Sequence, residues 1–137
     1  MNNIPETFWL SVEQFNQQQF YDCHDTLEAI WIEAETSDKN FYQGILQVAV
    51  ALYHLRNHNW RGAVTLMGEG INRLRHYQPE HHTIDVEAFL DETIALLQQL
   101  QQAGPEAVAA IAQRLETPDP DRPLAPLPQL ATVPPAA

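Results

Sequence analysis

Gln43-Gly-Ile-Leu-Gln47-Val-Ala-Val-Ala-Leu-Tyr-His54-Leu55 is the stretch on which the reading of this chain turns. It is apolar nearly all round, and no proline interrupts it. A helix that is greasy on every side belongs inside a bundle rather than on its surface. At 3.6 residues per turn, its polar residues Gln43, Gln47 and His54 fall within about 40° of one another. A buried amide or imidazole without a partner costs roughly 1–3 kcal/mol, so this line needs a facing polar set. Upstream, His24-Asp-Thr-Leu-Glu28-Ala-Ile-Trp31 supplies one, because the i, i+4 spacing of His24 and Glu28 puts both on one helix face. The expectation is a buried polar seam of His24, Glu28, Gln43, Gln47 and His54 between two helices.

Working outward, Phe8, Val12 and Phe15 recur at helical spacing from Glu6 to about Gln18, with Pro5 at the start where its missing N–H is harmless. The run Gln17–Gln19 marks a bend or a helix end. A second helix spans about Phe20 to Ala34 on the stripe Phe20, Cys23, Leu27, Ile30, Trp31 and Ala34. Glu35–Asn40 reads as a polar connection, and the third helix as about Phe41 to Arg56. Gly44 inside it weakens the helix by roughly 1 kcal/mol relative to alanine, which points to a close helix approach. Asn59 is an N-cap for a fourth helix carrying Trp60, Ala63, Val64, Met67, Ile71 and Leu74. Gln78–Thr83 breaks the pattern, Asp85 caps a fifth helix, and Gly104-Pro105 stops it. A short alanine-rich turn follows from Glu106 to Leu115. The three tryptophans, Trp9, Trp31 and Trp60, all sit on apolar stripes and read as core.

The fold expected is therefore all-α: a compact array of about five helices with a central, almost wholly apolar third helix packed on the second and fourth. Residues 1–116 form a single helical domain, and 117–137 a proline-rich tail, extended or disordered. Seven of the ten prolines fall in that tail, which is read as excluding helix and ladder pairing alike. Leu124, Leu127 and Leu130 share one edge of a polyproline helix and offer a docking edge. No second copy of any unit appears at a fixed period, which excludes a solenoid.

The 137 residues carry a formal charge of −11. That excludes general binding to nucleic acid or to an anionic membrane, since both need a basic surface. No apolar run reaches the roughly 18–20 residues needed to span a bilayer. Cys23 is the one cysteine, so no internal disulfide forms, and no signal peptide is visible. A cytoplasmic protein is expected. Arg56, Arg61, Arg73 and Arg75 lie against Glu69 alone in residues 40–79, between acidic flanks, and the expectation is that helices pair their charges with one another.

His24, Glu28 and His54 are the residue types of a catalytic zinc, which takes two histidines, a carboxylate and a water. There is, however, no His-Glu-x-x-His run and no repeated Glu-x-x-His pair. Glutamines suit a hydrogen-bond network better than a metal, because each amide both donates and accepts. Cys23 and His24 are helix neighbours pointing about 100° apart, so they make no nucleophile–base pair. His76, His81 and His82 form a second group able to bind a metal, read by default as a solvent-exposed loop. No phosphate loop, nucleophile elbow or Cys-x-x-Cys is present.

Three motifs in order, Phe20-Tyr-Asp-Cys-His24-Asp-Thr-Leu-Glu28-Ala-Ile-Trp31, Gln43-Gly-Ile-Leu-Gln47-Val-Ala-Val-Ala-Leu-Tyr-His54 and Asn59-Trp-Arg-Gly62-Ala63, resemble the domain of unknown function family numbered 309. Ile84-Asp85-Val86 resembles the start of that family's last core helix, so the likeness spans about residues 8–100. The resemblance implies a small all-helical bacterial domain without an established biochemical activity. The residues themselves favour a non-enzymatic module that self-associates or binds a protein partner, with no cofactor and no metal. The alternative is a small-molecule or metal site, hydrolytic in kind, formed by His24, Glu28 and His54.

Overall fold

Pro5 leads into α1 (Glu6–Asn16), whose buried side is Phe8, Ser11, Val12 and Phe15. The computed structural model describes residues 4–117 and 126–134. The bend after α1 is made by Gln18, which sits at φ 64°, and Arg56 grips it, donating to Gln18 O at 3.0 Å and Gln18 Oε1 at 3.1 Å. α2 (Phe20–Glu33) buries Phe20, Cys23, Leu27 and Ile30. Trp9, expected in the core, is 38% exposed; it lies one residue off the buried stripe of α1 and meets Phe8 edge-on instead.

α3 (Thr36–Arg56) starts earlier than expected. Ala34 and Glu35 are extended, and the chain turns helical at once, with the N–H groups of Asp38 and Lys39 both bonded to Glu35 O. An acid in the first turn, here Asp38, suits the positive end of the helix dipole. From Phe41 to Leu52 every residue is buried or half-buried. α3 packs chiefly on α2 and on α4 (Trp60–Leu74). Asn59 caps α4 by accepting the Gly62 N–H at 2.9 Å. Gly44 and Gly70 face each other across the α3–α4 crossing, where a Cβ on Gly70 would lie 2.8 Å from Gly44 O. The glycine expected to allow a close approach does so.

Gln78–Thr83 is not a plain break. Arg75–Tyr77 forms a 3-10 turn, and β1 (Glu80–His81) then pairs antiparallel with β2 (Ile84–Asp85). The two turn residues, His82 and Thr83, have φ of 49° and 62°, the sign pattern of the primed turns that suit hairpin twist. Asp85 caps α5 (Val86–Ala103), accepting the Ala88 N–H at 2.9 Å, and Gly104 at φ 79° ends it. The alanine-rich segment is a sixth helix, α6 (Val108–Glu116), which buries Ile111 and Ala112. The described residues are all-α but for this two-stranded hairpin, and they hold six α-helices rather than about five.

Residues 126–134 lie along α1 and the hairpin. Asn16 clasps Leu130 through both amide atoms, at 2.9 and 2.8 Å. Asp85 N–H donates to Ala131 O and Val133 N–H to Thr83 O, each at 2.8 Å, so Thr132 forms a single antiparallel bridge to Ile84, a pairing the proline content was expected to exclude. Leu130 is buried and Leu127 packs against the core; Leu124 lies outside the described residues. No helix among them is long and apolar enough to cross a membrane. The expected pairing of arginines with carboxylates is absent: among the described residues, every ion pair has histidine as its basic member.

Candidate functional site

The polar line of α3 does not meet one facing set. His24 has Nδ1 3.1 Å from Asp25 Oδ1 and Nε2 3.3 Å from Glu28 Oε2. Its two nitrogens thus serve different carboxylates, and the Glu28 side chain is 54% exposed. Gln47 turns the other way, toward α4. Its Nε2 donates to Glu69 Oε2 and its Oε1 accepts from Arg73 Nε, both at 3.1 Å. Arg73 also donates to Asn40 Oδ1. His54 faces the α3–α4 turn, with Nδ1 3.4 Å from Asn59 Nδ2, and Gln43 is half-buried. Of these five residues only Gln47 is buried, at 8% exposure. His24 and Glu28 stand together, while Gln47 and His54 have other partners.

A different polar group is drawn together by the start of α3 and the hairpin. His81 Nε2 is 2.8 Å from Asp38 Oδ1, and His82 Nε2 is 3.5 Å from Asp38 Oδ2. Tyr42, one turn along α3 from Asp38, sets its hydroxyl 3.1 Å from His82 Nε2. Successive residues of a strand point to opposite faces. The positive φ at His82 overrides that alternation, leaving the two imidazoles 4.3 Å apart by ring centroid. The reading of His81 and His82 as an exposed loop is therefore corrected. The His82 side chain is only 3% exposed, walled by Phe8, Phe41 and Tyr42. His76 is exposed and takes no part.

Burial shapes the acid–base character of the group. Desolvation lowers the His82 pKa, the neighbouring His81 adds to this, and Asp38 works against both. Tyr42 is pushed up to about 12, first by burial and then by the Asp38 charge. Cys23 is raised to about 12 by burial alone, which keeps it a thiol; its Sγ–H donates to Ser11 O at 3.3 Å.

Asp38, Tyr42 and His82 are among the residues that line a cavity of about 640 Å³. Pro5 and Leu10 of the α1 side and Ala29, Ile30 and Ala34 of the α2 side give it apolar walls, and Thr7, Thr26, Glu33 and Glu35 add polar groups to its lining. Asp38, His81 and His82 are also the one group of three or more metal-ligating side chains, among the described residues, whose donor atoms all lie within 4.8 Å of one another. The sequence carried little signal for this. A His-His pair just before the helix cap Asp85 was visible, but nothing tied it to an aspartate some forty residues upstream.

The fold and this group define an all-α domain with a carboxylate–imidazole–phenol cluster on the wall of an inter-helix cavity. Residues 8–66 match the model of the family described as a domain of unknown function (DUF309). The match takes in α1, α2, α3 and the start of α4, and so Asp38 and Tyr42 but not His81, His82 or Ile84–Val86. The chain is also similar to the uncharacterized protein YpuF of Bacillus subtilis (strain 168), at 37% identity over 75 residues, 54% of this chain and 41% of YpuF. The chain thus matches about two fifths of the length of this curated relative. No solved structure matches it. Neither description states an activity.

Proposed function

We propose that the protein is a non-enzymatic helical module that binds a small molecule in the cavity between α1, α2 and α3. The observation that carries this is the cavity of about 640 Å³, within the range of roughly 300–1,000 Å³ usual for ligand pockets, with apolar walls and a few convergent polar groups. Among the described residues, Glu33, Glu35 and Asp38 line it and no lysine or arginine does, so the ligand that fits is a compact amphiphile with a cationic end. Titrating the full ¹⁵N-labelled chain with n-hexylammonium should shift the amides of Ala29, Ile30 and Ala34 saturably, while hexanoate leaves them in place. Ala29→Trp, which fills an exposed edge of the cavity, should abolish the effect. Equal responses to the two probes, or none, would refute the reading.

A second reading is the self-association expected from the sequence. Tyr21, Ile32 and Tyr53 are exposed on α2 and α3, and Tyr21 meets Tyr53 at a tilt with ring centroids 5.5 Å apart, so large apolar surface faces water there. Sedimentation velocity should show a dimer that Ile32→Glu dissociates; a strict monomer at high concentration would end this reading.

A further inference from the structure

We propose that Asp38, His81 and His82 form a binding site for one divalent transition-metal ion of the zinc class. The site deepens the cavity reading and rests on it in one respect, that the open side of the ion faces the cavity. Zinc takes nitrogen and carboxylate oxygen at about 2.0–2.1 Å, and tetrahedral angles then set neighbouring donors about 3.3–3.4 Å apart. The structure holds His81 Nε2 and His82 Nε2 at 2.8 and 3.5 Å from the two oxygens of Asp38. All three donors fall within 4.8 Å of one another, which leaves only small adjustments for an ion to draw them to equal spacing.

The donor set decides the class of ion. Two neutral imidazoles and one carboxylate suit zinc, cobalt or ferrous iron, whereas calcium and magnesium require mostly oxygen ligands, six or more for calcium. Three protein ligands leave a fourth position for water. Tyr42 Oη lies 3.1 Å from His82 Nε2, the nitrogen whose lone pair the ion would take, and would exchange that contact for another acceptor. The supports differ in kind and so limit each other's freedom: Asp38 is on the first turn of a long helix, and the histidines are on a hairpin. His82 is held by aromatic rings on three sides. This is the chemistry the sequence suggested for His24, Glu28 and His54, realised by other residues.

The test uses the full chain without an affinity tag, stripped with chelator and titrated with zinc chloride by calorimetry. One equivalent should bind, with magnesium and calcium giving no heat. His81→Ala and Asp38→Asn, both at partly exposed side chains, should each weaken binding at least about tenfold, the smaller end of what losing even an outer-shell partner costs. His76→Ala and His24→Ala should leave it unchanged. Cobalt should give the visible absorption of a tetrahedral site, lost in the same two variants. No stoichiometric zinc, or zinc that survives His81→Ala in a folded protein, overturns the inference and leaves the group a hydrogen-bonded latch. Zinc binding without a hexylammonium response retires the cavity ligand alone, and the converse retires the metal alone.

Discussion

Alanine at Gly68 and at Gly70 should change stability in opposite directions, although the two positions are neighbours on one face-to-face helix pair. Both lie inside α4, so each substitution gains roughly 0.5–1 kcal/mol of helix propensity. A Cβ on Gly68 meets nothing within 4 Å. A Cβ on Gly70 would lie 2.8 Å from Gly44 O, 2.8 Å from Val48 Cγ2 and 3.3 Å from Val48 N. Two of those atoms are backbone of α3 and cannot swing aside, so α3 and α4 must part. Overpacking of this kind costs typically 1–3 kcal/mol. Because the propensity gain is common to both, the gap between the variants isolates the contact. Gly68→Ala is expected to gain about 0.5–1 kcal/mol and Gly70→Ala to lose about 1–2 kcal/mol net. Urea unfolding with equal m-values reads the difference directly. Gly70→Ala as stable as Gly68→Ala would refute the close crossing of α3 and α4.

Gln47→Leu should cost about 1–2 kcal/mol, because it strips a buried bridge from Glu69 and Arg73, whereas Glu28→Gln, at an exposed side chain, should stay within about 0.5 kcal/mol; urea midpoints separate the two, and a large loss for Glu28→Gln would restore the expected buried seam. Cys23, raised to about 12 from an ordinary value of 9.0, keeps its proton in the folded state where the unfolded chain has lost it. Stability from this group is therefore complete below pH 9 and falls as pH rises toward 12, by at most about 1.4 kcal/mol per pH unit. Cys23→Ala should flatten that alkaline slope, and native Cys23 should resist aromatic disulfide reagents until the chain unfolds.

What was legible in the sequence was local. The caps Asn59 and Asp85 each act on an N–H three residues ahead, and Gly104 stops α5 at the spot its own φ demands. The start of α3 was missed because Thr36–Asn40 run along the protein's rim, where a helical turn has no apolar stripe to betray it. The polar line Gln43, Gln47, His54 was read by angle alone. Residues sharing a face can still be far apart along the axis: Gln43 and His54 are separated by about 16 Å of rise. One face is therefore not one site: Gln47 meets Glu69 and Arg73, and His54 meets Asn59. The cluster that does form needed a contact between residues 43 apart and a backbone reversal at His82. Neither leaves a period in the sequence.

The hairpin that carries His81 and His82 has two residues in each strand and a His-Thr turn, where primed turns favour asparagine and glycine. So short a ribbon is marginal alone, and it is fixed from both sides. Asp38 and Tyr42 hold one side, and the tail holds the other through Asp85 N–Ala131 O and Val133 N–Thr83 O. An ion at Asp38, His81 and His82 and the docked tail therefore favour the same hairpin conformation, and each should strengthen the other by an equal factor. Ending the chain at residue 125 removes both bonds and the Asn16 clasp on Leu130. Zinc affinity should then fall roughly 5–150-fold, the range of typical coupling energies. In the intact chain zinc should slow hydrogen exchange at the Val133 amide, and Asn16→Ala, which touches no ligand, should weaken zinc in the same direction as the truncation. Unchanged zinc affinity in both variants, with the helices still folded, would show that the hairpin holds its shape without the tail.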